Sequence, residues 1–160
     1  MRNSARLLGL AVIAIVFSPI LSGAVAGASV SDDQPPPIVE DYTYPGADQI
    51  FAQYGIRLLK GNGQILFTQC GSGGNLVEVW SRTKSNPFCF KISGNKGYLT
   101  LDLAAVYLIK GDDHALKATM VIKGSPVVSE IGKNTWTSAG EGADPVNGQS
   151  PLVELNSGSL

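Results

Sequence analysis

From Ile56 onward, apolar residues recur at every second position, in short runs separated by glycine-rich turns. The clearest run is residues 115–123. Leu116, Ala118, Met120 and Ile122 fall on one side of an extended backbone, and Lys117, Thr119, Val121 and Lys123 on the other. A period of two specifies a strand with one buried face and excludes an amphipathic helix over the same residues. Further runs lie at 56–60, 64–69, 76–82, 88–93, 98–103, 106–110, 127–131 and 152–155. That spacing, with a turn signal about every 8–12 residues, predicts an antiparallel β-sandwich or barrel of about 8–9 short strands. No helical segments separate the runs, so a parallel sheet built from crossovers is excluded.

Two turns look like hairpin tips. Gly61-Asn62-Gly63 separates the first two runs, and Gly111-Asp112-Asp113-His114 separates 106–110 from 115–123. The one helix expected is residues 47–54. Ile50, Phe51 and Tyr54 make its apolar stripe, Asp48 sits in its first turn, and Gly55 stands where a helix stops.

The N-terminal part reads differently. Arg2 and Arg6 precede an apolar run from Leu7 to Leu21, broken by Gly9, Ser18 and Pro19. Small residues follow, with Ala24-Val25-Ala26 and Ala26-Gly27-Ala28 both fitting an A-x-A cleavage site. Residues 1–28 are therefore expected to be a signal peptide. A spanning helix needs about 20 apolar residues, more than this run has. Residues 29–46 carry Pro35-Pro36-Pro37 and four acids, a composition expected of a disordered tether. Residues 47–160 form the expected single β domain. The chain is expected to be secreted and extracellular, with no membrane contact once the leader is removed.

Cleavage removes two of the 12 basic groups and none of the 13 acidic ones, leaving a mildly acidic domain. Such a domain offers no positive field to a phosphate backbone, so nucleic acid is not an expected partner. The two cysteines, Cys70 and Cys89, are expected to pair as a disulfide in an oxidising compartment.

Some motifs together carry a resemblance: Tyr44-Pro45-Gly46-Ala47, Gly97-Tyr98-Leu99-Thr100-Leu101, Val106-Tyr107, Gly111-Asp112, Lys133-Asn134-Thr135-Trp136 and Gly140-Glu141-Gly142-Ala143-Asp144-Pro145. The chain resembles an uncharacterised group of small secreted actinobacterial proteins over residues 44–155. The resemblance implies export and supplies no activity, substrate or site residue.

Catalytic patterns are sparse. His114 is the single histidine, so a Ser-His-Asp hydrolase would have to use it. No serine lies in a Gly-x-Ser-x-Gly elbow, and Ser72 in Gly71-Ser72-Gly73-Gly74 lacks the strand-to-helix setting. His114 and its two neighbouring acids are expected to be a solvated turn. A zinc site needs three or four ligands, which one histidine and two paired cysteines do not provide. Oxygen ligands for calcium exist in Asp112, Asp113, Glu141 and Asp144, without EF-hand spacing. No metal and no cofactor are expected.

The aromatic residues give the most specific candidates. Trp80 shares strand parity with Glu78 and Arg82, so either a polar face carries it or the strand is buried on both sides. Trp136 lies in the polar run Asn134-Thr135-Trp136-Thr137-Ser138. Exposed aromatics on a sheet stack against sugars or partner proteins. The leading expectation is a non-enzymatic extracellular binding module for envelope glycan or protein, with Trp80, Tyr98, Trp136, Glu141 and Asp144 as candidate contacts. One alternative is an extracellular hydrolase using the carboxylates of the long loop 141–151. Another is a secreted protease inhibitor presenting Thr83-Lys84-Ser85-Asn86-Pro87.

Overall fold

The computed structural model describes residues 42–158. The expected leader and most of the expected tether lie outside the described residues.

The helix forms where the apolar stripe placed it. It runs over Ala47–Tyr54 (α1), between Gly46 at φ 69° and Gly55 at φ 75°, both left-handed. Gly55 closes it with an N–H bond to the Phe51 carbonyl. Ala47, Ile50 and Tyr54 pack against the core. Phe51, expected in that stripe, instead points outward beneath the Arg57 guanidinium, 4.2 Å from its ring centre. The i, i+3 and i+4 positions share one face of a helix, whereas an i+1 neighbour turns away from it.

Ten strands follow: β1 Arg57–Gly61, β2 Ile65–Thr68, β3 Val77–Ser81, β4 Phe88–Ile92, β5 Gly97–Leu103, β6 Val106–Lys110, β7 Leu116–Ile122, β8 Ser125–Ile131, β9 Trp136–Ser138 and β10 Leu152–Ser157. They form two five-stranded antiparallel sheets, in the orders β1-β5-β10-β7-β8 and β2-β4-β3-β6-β9. The result is an open sandwich rather than a closed barrel. Alternating residues of both sheets fill the space between them, including Leu58, Leu99, Leu101, Met120 and Leu155 of the first and Ile65, Val77, Val79, Phe90 and Ile109 of the second. Each such side chain contributes about 1.5–3 kcal/mol by leaving water.

Two expected hairpins are not hairpins. β1 pairs with β5 and β2 with β4, so Gly61-Asn62-Gly63 carries the chain from one sheet to the other. The turn is held from outside: Asn62 donates its amide to the Lys96 carbonyl at 3.0 Å and accepts from the Tyr98 N–H at 3.0 Å. Gly111–His114 likewise links β6 of the second sheet to β7 of the first. There Asp112 is buried rather than solvated. Its carboxylate accepts from the His114 backbone N–H at 2.9 Å and lies 2.9 Å from the ring Nδ1. A turn between packed sheets must satisfy its polar groups internally, whereas a hairpin tip leaves that to water.

The folded domain also takes in residues 42–44, which composition assigned to the tether. Thr43 bridges to Lys60, and Tyr44 is buried, its hydroxyl accepting from the Phe67 N–H at 2.8 Å. Among the described residues no helix is long and apolar enough to cross a membrane.

The cysteines are bonded, with Cα atoms 5.2 Å apart. Thr68 pairs with Cys89 across β2 and β4, so the residue two beyond β2 comes back onto β4. Chain reversal just past a strand pair provides the Cα separation a disulfide needs.

Candidate functional site

The outer face of the second sheet is built from β3, β6 and β9. Along β3, Val77, Val79 and Ser81 point inward and are buried, leaving Glu78 and Trp80 on the outer side. Pairing is in register across the sheet. Glu78 stands opposite Lys110, which stands opposite Trp136; Trp80 stands opposite Leu108, which stands opposite Ser138. The register shifts between Trp80 and Ser81, so β6 carries one extra residue, Tyr107. A bulge of this kind re-aims a side chain, and Tyr107 lies under the Arg82 guanidinium at 4.8 Å.

These residues form one continuous surface. The Trp80 and Trp136 ring centres lie 6.4 Å apart with planes inclined at 53°. Lys110 donates to the Glu78 carboxylate at 2.9 Å and places its ammonium 5.7 Å from the Trp136 ring centre. Arg82 pairs with Glu141. Trp136 is 53 % exposed, while Trp80 is partly covered and its indole N–H is buried without a hydrogen bond. The face therefore combines an open indole, a second indole behind it, and two ion pairs rich in hydrogen-bonding atoms.

Of the candidate residues, Trp80, Trp136 and Glu141 come together here. Tyr98 does not; it lies on β5 of the other sheet, opposite Asn156. Asp144 also stands apart in role, capping the short 3-10 turn Pro145–Asn147 through the Asn147 backbone N–H and side-chain amide. The long loop 141–151 is thus structured: one 3-10 turn, Gly140–Gly142, packs on β6, and the second follows it.

Both loop carboxylates of the hydrolase reading are engaged within the domain, Glu141 by Arg82 and Asp144 by Asn147. Among the described residues the one grouping of three metal-ligating residues is Asp112, Asp113 and His114, with ligand atoms within 4.8 Å of one another. Glu141 and Asp144 are not part of it.

A concavity of about 470 Å³ lies beside the disulfide, away from this face, lined by Tyr54, Phe67, Cys70, Lys84, Pro87 and Phe88 among others. It holds no carboxylate. Lys84 is exposed, and its side chain passes 3.6 Å from where a Cβ of Gly55 would stand at the end of α1.

Lys110, Leu108 and Tyr107 belong to the outer face but are not evident from sequence. Parity along β6 marks Leu108 and Lys110 as outward, yet nothing local places β6 between β3 and β9.

No protein-family model matches the chain, and no curated protein matches it.

Proposed function

We propose that the chain is exported and acts as a non-catalytic binding module, contacting an extracellular glycan through the outer face of β3, β6 and β9. The supporting observation is Trp136, left half in water on a sheet face beside a second tryptophan. Folding gains nothing from an indole held in water, and a flat aromatic surface suits the apolar face of a sugar ring. The flanking Glu78–Lys110 and Arg82–Glu141 pairs supply donors and acceptors for ring hydroxyls. Export rests on the arginine-led apolar leader and on the disulfide, which persists in oxidising compartments. The resemblance to small secreted actinobacterial proteins points to the same compartment and makes envelope glycan the first ligand to try.

The test is co-sedimentation of the purified protein with isolated cell-wall polysaccharide. The protein should be depleted from the supernatant, and Trp136→Ala should remain soluble. Equal depletion of the variant, or none of the native protein, defeats the proposal.

A further inference from the structure

A sheet edge presents backbone N–H and C=O groups that a further strand can pair with, and proteins usually cover or interrupt it. Among the described residues the two sheets end in four such edges; one is covered, one is partly engaged and one is short. Along β1, residues 42–44 run alongside: the Tyr44 N–H donates to the Leu59 carbonyl and the Gly61 N–H to that of Tyr42, both at 2.9 Å. β2 has four residues, and its Phe67 N–H is taken by the Tyr44 hydroxyl. β9 has only three residues.

β8 is different. It is seven residues long, pairs with β7 alone among the described residues, and is exposed on both faces up to Val128, with Val127 42 % and Val128 57 % exposed. Its outward groups follow from its turn. Lys123 at φ 49° and Gly124 at φ 80° form a two-residue hairpin loop with both residues left-handed, the type I′ arrangement. The flanking pair Ile122 and Ser125 is then the doubly hydrogen-bonded one, and bonded pairs alternate from there. Ser125, Val127, Ser129 and Ile131 turn their backbone groups toward β7. Pro126, Val128 and Glu130 turn theirs outward. Pro126, which has no N–H, occupies a position where β7 needs none.

We infer that β8 is a pairing edge whose occupant is β8 of a second copy of this chain, antiparallel about a two-fold axis at Val128. In that register each Val128 N–H donates to the Val128 carbonyl of the partner subunit. Each Glu130 N–H donates to the Pro126 carbonyl of the partner subunit. Four hydrogen bonds then use every outward donor of both strands, and the carbonyl opposite the proline ring stays open to water. An axis at Ser129 also yields four bonds, but it sets the two Glu130 carboxylates on one face as diagonal neighbours, roughly 7–8 Å apart. With the axis at Val128 they stand four residues apart along the strand, roughly 13 Å. The axis at Val128 is the one that brings the two exposed valines together, and it keeps apart the two Glu130 carboxylates, each with a Lys117 ammonium 3.9 Å away. A single strand pair covers less than the roughly 1,200 Å² of a stable interface, so the dimer is weak and concentration-dependent.

The test is amide hydrogen exchange of the purified chain at about 10 μM and about 1 mM, with sedimentation velocity at both. The Val128 and Glu130 amides should exchange several-fold more slowly at the higher concentration, roughly fourfold for a dimer with Kd of about 100 μM. Val127 and Ser129 should be protected at both. Val128→Lys, at a side chain already in water, should keep its melting temperature, sediment as a monomer and lose the concentration dependence. Unchanged exchange at Val128 and Glu130, or a Val128→Lys protein that dimerises like the native one, overturns the inference.

Discussion

Trp80 and Trp136 stand with ring centres 6.4 Å apart on the outer face of the second sheet, brought together by β6, which pairs with both their strands. The two indoles differ in burial, so their removal should differ in consequence. Trp80→Ala strips a partly covered ring and should destabilise by roughly 1–3 kcal/mol, below the 3–5 kcal/mol typical of a fully buried aromatic. Trp136→Ala should shift stability by under about 0.5 kcal/mol. Urea unfolding of both variants makes the comparison, and equal losses would mean that Trp136 is structural.

The Cys70–Cys89 bond closes a loop with a sequence separation of 19 and ties the end of β2 to β4. In the chain-entropy view it contributes about 3 kcal/mol. Reduction should lower the melting temperature by roughly 10 °C while leaving the domain folded at room temperature. A calorimetric scan with and without reductant measures this.

Gly142 lies where the Gly140–Gly142 turn crosses β6, and a Cβ there would overlap the Tyr107 carbonyl oxygen. Gly142→Ala should therefore cost about 1–3 kcal/mol. It should also weaken ligand binding, because the neighbouring Glu141 holds Arg82 at the platform's margin. A variant with native stability would show that the turn moves away freely.

The Tyr44 phenol is shifted by its surroundings. Burial raises it above the usual 10.0, partly offset by the Phe67 N–H that its oxygen accepts. A raised folded-state pKa means that the phenol's contribution is complete below the unfolded value and is lost as pH rises through the folded one. Stability should fall above pH about 10, and Tyr44→Phe should remove that part of the decline. At neutral pH the same variant should lose roughly 1–3 kcal/mol, since the Phe67 N–H loses its acceptor. Denaturant midpoints at neutral and alkaline pH, native against variant, separate the two effects.

Much of the strand set was legible in the sequence, because a period of two is a local signal; β6 begins and ends where its apolar run does. The helix was legible because its apolar spacing is also local, and the disulfide from the even cysteine number together with the expected leader. What was not legible is long-range. Gly61-Asn62-Gly63 has the composition of a hairpin turn, and only its bonds to Lys96 and Tyr98, distant in sequence, make it a crossover. β9 has three residues in a polar run and becomes a strand by pairing with β6. For the candidate site, Trp80's parity with Glu78 and Arg82 was readable. That Trp136 lies beside it, and Tyr98 on the opposite sheet, depends on strand order, which no local pattern encodes.

The most direct measurement is intrinsic fluorescence. The chain has two tryptophans, and both lie on the proposed contact face. Titration with soluble cell-wall oligosaccharides should shift the emission to shorter wavelength and saturate, and Trp136→Ala should abolish the response while retaining the native melting temperature. Binding detected by calorimetry with no change in tryptophan emission, or a response undiminished in Trp136→Ala, would contradict a ligand face on β3, β6 and β9.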